Sequence, residues 1–172
     1  MTQATPLRIG VLHGDDDVCG FLTSGGTESI LCGVLAARER GAAERGITEP
    51  EIVLAESAHA AFHKAAHIFQ LHVRKAPVKA DYTADVDAMA DLVGPNTVLV
   101  VGSAPQYPQG VQDDIVAIAQ LAVAAGANCH VDACMGGFVL PFAEMLGRPV
   151  APWDFRVDGV TTISADIHKL GY

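Results

Sequence analysis

Lys169 follows His168 just beyond a short apolar, β-rich run, residues 160–164, within Ser-Ala-Asp-Ile-His-Lys. An amine at a strand end can hold an aldehyde once a desolvated or cationic setting lowers its ordinary pKa of about 10.4. Thr23-Ser-Gly-Gly-Thr-Glu-Ser29 places two glycines just before a helical pattern. Glycine lets the backbone approach an anion closely, and the free amides and dipole of a helix start favour its charge. His59 lies just past another apolar run, where open α/β sheets bind their ligands. Asp132 ends Asn-Cys-His-Val-Asp, which would put a carboxylate at the carboxyl end of a buried strand, available to a cation.

Each residue also has a plainer reading. Ser24-Gly25-Gly26-Thr27 can be a glycine turn followed by a Ser or Thr helix cap, Asp132 can cap the next turn, and Lys169 can be a surface lysine. The glycine spacing is neither the dinucleotide Gly-x-Gly-x-x-Gly nor a P-loop. His59, His63 and His67 recur every four residues and would form a helical stripe, which raises a metal-site reading. No His-Glu-x-x-His motif or obvious third-ligand carboxylate accompanies them, so no metal is expected and His63 and His67 read as a solvated or half-buried face.

The elements that must position these groups alternate. Short apolar runs at 52–55, 71–76, 97–102, 128–132 and 160–164 read as strands, and 27–40, 57–69, 83–93, 113–125 and 138–146 read as helices. Such alternation predicts βαβ units, hence an α/β fold with a mostly parallel sheet and helices on both faces. In the first helix Ile30, Leu31, Val34 and Leu35 recur at helical spacing and predict one buried face. Gly94-Pro95-Asn96 and Gly147-Arg148-Pro149 end the preceding helices. No internal repeat, low-complexity tract or interdomain linker interrupts the pattern.

With 172 residues, half of them hydrophobic, the chain can bury a sizeable core as one domain. A formal charge of −9 would repel a nucleic-acid backbone or an anionic bilayer, leaving a small molecule as the expected partner. Four cysteines without a Cys-x-x-Cys pair or a disulfide ladder point to a reducing compartment. Residues 1–10 lack an apolar signal core, and no apolar run reaches the ~20 residues of a membrane helix, so a soluble cytoplasmic chain is expected.

In order and wording the four segments resemble the pyridoxal phosphate (PLP)-dependent sphingosine-1-phosphate lyases and, more broadly, the group II amino-acid decarboxylases, from about His13 to Tyr172. The resemblance implies the large domain of fold-type I PLP enzymes. Gly26-Thr27 would hold the PLP phosphate, and His168 would contact it. The histidine of Ser57-Ala58-His59 would stack on the pyridine ring, and Asp132 would pair with the protonated ring nitrogen so that the cofactor works as an electron sink. Lys169 would be the Schiff-base lysine. His130-Val-Asp-Ala is shared by lyases and decarboxylases, whereas Cys134-Met-Gly-Gly-Phe138 is more lyase-like. Ser103-Ala-Pro-Gln-Tyr-Pro-Gln-Gly110 resembles the family's Pro-Gln-Phe-Pro-x-Gly loop and should line the site.

The implied reaction is retro-aldol cleavage of a phosphorylated long-chain amino alcohol, with amino-acid decarboxylation as the alternative. Members of these families start earlier and continue with another strand, a connecting helix and a small C-terminal domain, and they form their sites at a homodimer interface. The chain is therefore expected to be a partial PLP-binding large domain, 1–172, lacking the small domain, and an inactive fragment is a further alternative.

Overall fold

The computed structural model describes residues 12–171. Five strands, β1 (Glu51–Ala55), β2 (His72–Ala76), β3 (Thr97–Ser103), β4 (Asn128–Asp132) and β5 (Val160–Ser164), form one parallel sheet in the order β2-β1-β3-β4-β5. Six helices accompany them: α1 (Gly26–Arg45), α2 (Ala61–Phe69), α3 (Val86–Leu92), α4 (Ile115–Ala125), α5 (Leu140–Met145) and α6 (Ile167–Leu170).

Strand alternation divides the core into two layers. Ile52, Leu54, Leu99 and Val101 join α1 and α2 through Ile30, Val34, Ala37, Phe62 and Ala65. Val53, Val100, Cys129 and Val131 join α3 and α4 through Met89, Ile115, Ile118 and Ala122 on the opposite face. Every residue of the central strand β3 is buried, which is why it reads as a continuous apolar run rather than an alternating one. Each fully buried aliphatic side chain contributes about 1.5–3 kcal/mol relative to exposure.

After β1 the chain runs outward to the edge strand β2, then returns past β1 to β3 and β4. Crossovers of one hand must change face when the direction of travel reverses. Accordingly α2 packs on one face and α3 and α4 on the other. Loops therefore part at the carboxyl ends of β1 and β3, the place where such sheets bind ligands.

Three local outcomes depart from the sequence pattern. α1 runs to Arg45, past Gly41, because Gly41 packs against Val98 and the Arg45 guanidinium donates to the carbonyls of Thr97, Gly126 and Pro95. Its buried face is Ile30, Gly33, Val34, Ala37 and Gly41, while Leu35 stays exposed. Residues 57–60 form a turn rather than the first turn of α2, and Asp85 caps α3 by accepting the Ala88 N–H. Among the described residues no helix is long and apolar enough to cross a membrane.

Candidate active site

The start of α1 is shaped by its two glycines. Gly25 has φ 153°, a conformation that side chains rarely adopt. A Cβ on Gly26 would lie 2.7 Å from both Asp166 Oδ2 and Cys134 Sγ. No side chain caps the helix; instead the Glu28 carboxylate accepts the Ser24 N–H at 2.6 Å, and this bond to the backbone holds its pKa below the usual carboxylate range. The first amides of α1 thus face an open cleft, with the exposed Thr27 beside them.

That cleft, about 330 Å³, is lined by Ser24–Glu28, Ile30, His59, Pro105, Tyr107, Asp132, Cys134, Met135, Asp166, His168 and Lys169. It brings together all six residues singled out in the sequence: Gly26, Thr27, His59, Asp132, His168 and Lys169. They come from the start of α1, the loop after β1, the end of β4, and α6, so only the parallel sheet makes them neighbours.

His59 sits in the turn after β1, exposed, with Nδ1 accepting the Ala61 N–H at 3.1 Å. This leaves Nε2 as the protonated nitrogen of the neutral ring. Tyr107, from the loop after β3, meets the ring edge-on at 6.3 Å. The Tyr107 loop is braced from below. Buried Asp113 accepts the Ala84 and Ser103 N–H groups, and Gln106 bonds Gln109 through both ends of its amide. His63 and His67 lie on the exposed side of α2, away from the cleft lining.

Asp132 closes β4. Its Oδ1 accepts the Cys134 N–H at 3.1 Å and the Ser164 hydroxyl at 3.4 Å. Cys134 is buried beside it, and burial, reinforced by the Asp132 charge, pushes its thiol far up, so it is not a nucleophile at neutral pH.

Lys169 Nζ lies 2.9 Å from Asp166 Oδ2, and His168 Nε2 lies 3.8 Å from the same oxygen. The His168 ring also approaches Gly25, where an added Cβ would be 3.6 Å from Cε1. Burial alone would lower the Lys169 pKa. The hydrogen bond that Lys169 donates to Asp166, with the charges of Asp166 and Asp132, outweighs this and raises it. The protein's own groups around Lys169 are thus anionic, the opposite of a setting that would lower its pKa. Asp166, the residue that does this, escaped the sequence reading although it stands three residues before Lys169. Its burial under Gly26, 4% exposed, comes from long-range packing. Among the described residues no group of three or more His, Cys, Asp and Glu side chains could hold a metal ion.

A parallel sheet with a glycine-flanked helix start, a strand-end carboxylate and a paired lysine around one cleft is the arrangement shared by the large domains of the PLP-dependent decarboxylase family. The pyridoxal-dependent decarboxylase conserved domain matches residues 9–172, and the chain belongs to that family, whose cofactor is PLP. It is 49% identical over 154 residues to the sphingosine-1-phosphate lyase of Oryza sativa subsp. japonica, covering 90% of this chain and 29% of that protein. It is 52% identical over 167 residues to sphingosine-1-phosphate lyase 1 of Rattus norvegicus, covering 96% of this chain and 29% of that protein. Among solved structures, a Burkholderia pseudomallei sphingosine-1-phosphate lyase superposes with a TM-score of 0.90 at 48% identity, over 95% of this chain and 39% of that one. A glutamate decarboxylase domain from Vibrio parahaemolyticus gives 0.80 at 25% identity, over 94% and 39%. The chain thus spans less than a third of the length of the curated lyases it matches.

Proposed function

We propose that this chain is the cofactor-binding part of the large domain of a PLP-dependent carbon-carbon lyase acting on phosphorylated long-chain amino alcohols. The observation that carries the reading is the meeting of Gly26, Thr27, His59, Asp132, His168 and Lys169 around one cleft. Identity near 50% to sphingosine-1-phosphate lyases favours carbon-carbon cleavage over decarboxylation.

The lining set fits PLP on its own chemistry. Gly25 and Gly26, the one at a φ that side chains rarely adopt and the other packed directly on Asp166 and Cys134, set a helix start that no side chain caps, which suits the phosphate. Asp132 offers a carboxylate to the ring nitrogen, His59 an aromatic face, and Lys169 an amine for the aldehyde. When bound, PLP supplies an electron sink that stabilises negative charge developing at the substrate carbon next to nitrogen.

The residues then divide the work. Asp132, with Oδ1 fixed by Cys134 and Ser164, keeps a proton on the ring nitrogen as that charge develops. His59, its ring pinned by the Ala61 N–H, holds the ring plane. Thr27 and His168 hold the phosphate. Asp166 keeps Lys169 charged, and the amine would have to give up that proton before it could bond to an aldehyde. Tyr107 and Pro105 close one wall of the cleft.

The working protein is proposed to be a cytoplasmic homodimer with a small-molecule substrate. Long-chain aldehyde release from sphingosine 1-phosphate should be assayed with PLP in the longest reading frame that contains residues 1–172, against CO2 release from glutamate and aromatic amino acids. Aldehyde release supports the lyase; CO2 release alone would replace it with a decarboxylase; PLP binding with neither product would leave a cofactor-binding protein without this chemistry. Sedimentation of the same preparation as a monomer would refute the dimer.

A further inference from the structure

Beneath the cleft lies a square of polar side chains that composition alone would place at the surface. His130 and Asp132 alternate onto one face of β4, and their register partners on β5 are Thr162 and Ser164. His130 is 1% exposed and does not line the cleft. Its Nδ1 lies 2.8 Å from Thr162 Oγ1 and its Nε2 3.2 Å from Ser164 Oγ. Ser164 Oγ lies 3.4 Å from Asp132 Oδ1 and also accepts the Cys134 thiol at 3.3 Å. Phe62 meets the imidazole edge-on at 5.6 Å, and Gly33 of α1 makes room for it, since a Cβ there would come within 2.9 Å of Nδ1.

The protons in this square can be assigned. A carboxylate only accepts, so the Ser164 hydroxyl donates to Asp132. Ser164 Oγ must then accept from His130, which puts the ring proton on Nε2. Burial pushes the His130 pKa down to about 4, so the ring is neutral near pH 7 and Nδ1 carries a bare lone pair. Nδ1 therefore accepts the Thr162 hydroxyl. Thr162, His130 and Ser164 each donate one step closer to Asp132, from half-buried Thr162 inward to buried His130 and Ser164, and successive donors screened from water polarise one another.

We propose that His130, Thr162 and Ser164 form a one-way hydrogen-bond relay that orients the Asp132 carboxylate toward the cleft, which makes His130 a positioning residue for the cofactor partner. The proposal rests on reading Asp132 as the partner of the PLP ring nitrogen.

Two measurements on the chain separate the relay from that reading. First, 15N NMR of His130 without PLP should show the Nε2–H tautomer at neutral pH, and Thr162→Val, which keeps shape but removes the donor, should release it to a mixture. Ser164→Ala should shift the 13C signal of the Asp132 carboxylate. An Nδ1–H tautomer, or an Asp132 signal indifferent to Ser164→Ala in a folded variant, would overturn the relay whether or not PLP binds. Second, Ser164→Ala should weaken PLP binding about tenfold in the wild-type background, the scale of one hydrogen bond to a charged group, and less than about twofold in Asp132→Asn. Equal losses in both backgrounds would refute action through Asp132. If Asp132→Asn leaves the spectrum of bound PLP unchanged while the Nε2–H tautomer stands, the relay survives and the ring-nitrogen reading falls.

Discussion

Gly26→Ala is the sharpest probe of the cleft, because the position leaves no room. The new Cβ would sit 2.7 Å from Asp166 Oδ2, 2.7 Å from Cys134 Sγ and 2.9 Å from Asp166 Oδ1. Ordinary contact needs about 3.5–4 Å, so something must move by about 1 Å. Neither neighbour is a flexible surface group: Asp166 and Cys134 are 4% and 5% exposed, and Asp166 is tied to Lys169 at 2.9 Å. Either Asp166 swings out and loses the lysine, or the first turn of α1 backs away and carries its amides off the phosphate position. Overpacking of this kind costs about 1–3 kcal/mol of stability. A displacement of about 1 Å at a binding group should weaken PLP by about 10- to 100-fold. Urea unfolding with and without PLP, together with a fluorescence titration of the cofactor, measures both. Gly46→Ala is the control: its Cβ meets nothing within 4 Å, but its φ of +65° is left-handed, so it should cost about 1 kcal/mol of stability and leave PLP affinity alone. A Gly26→Ala protein with wild-type stability and PLP affinity within twofold would refute the steric argument and the phosphate assignment that depends on it.

Other expectations follow from the same geometry. Borohydride reduction of the PLP-loaded protein should fix the cofactor to the Lys169 peptide, and labelling at Lys64, Lys75 or Lys79 instead would sink that assignment. In a turnover-competent protein Asp132→Asn should lower turnover by about 10³-fold, on the order of 4 kcal/mol, with PLP still bound; near-normal kcat would exclude the proposed role. His130 is neutral when folded and its pKa is lowered to about 4, whereas the unfolded chain takes up the proton near 6.5. The unfolded state binds more protons between those values, so this residue should make stability fall by about 1.4 kcal/mol per unit as pH drops from 6.5 toward 4. Urea midpoints across that range should fall more steeply in wild type than in a folded His130→Gln variant, and parallel slopes would contradict the buried neutral ring. For Lys169 the sign is opposite: its raised pKa adds stability that is present at neutral pH and lost as pH rises through the folded-state value, and Asp166→Asn should abolish that alkaline loss. His59→Phe should retain more PLP affinity than His59→Ala, while His63→Ala should change neither PLP binding nor stability measurably.

Much of this architecture is legible in the sequence because its cause is local. Five apolar runs bounded by Gly, Pro and Asn specify five strands, and their alternation with amphipathic segments specifies parallel crossovers with helices on both faces. The candidate site residues are legible too, since each follows a strand or starts a helix within a distinctive short motif. Other features are decided by packing across tens of residues. α1 continues through Gly41 because Val98 and the carbonyls near Pro95 hold its last turn, a tertiary override of glycine's poor helix propensity. The anionic setting of Lys169 arises because Asp166 is buried under Gly26, some 140 positions away in the chain. The row from Thr162 to Asp132 exists only because β5 pairs with β4 in one register; a one-residue slip would turn Thr162 and Ser164 to the other face. Residue types and spacing determined which groups could meet PLP, and the sheet register decided which buried groups hold them there.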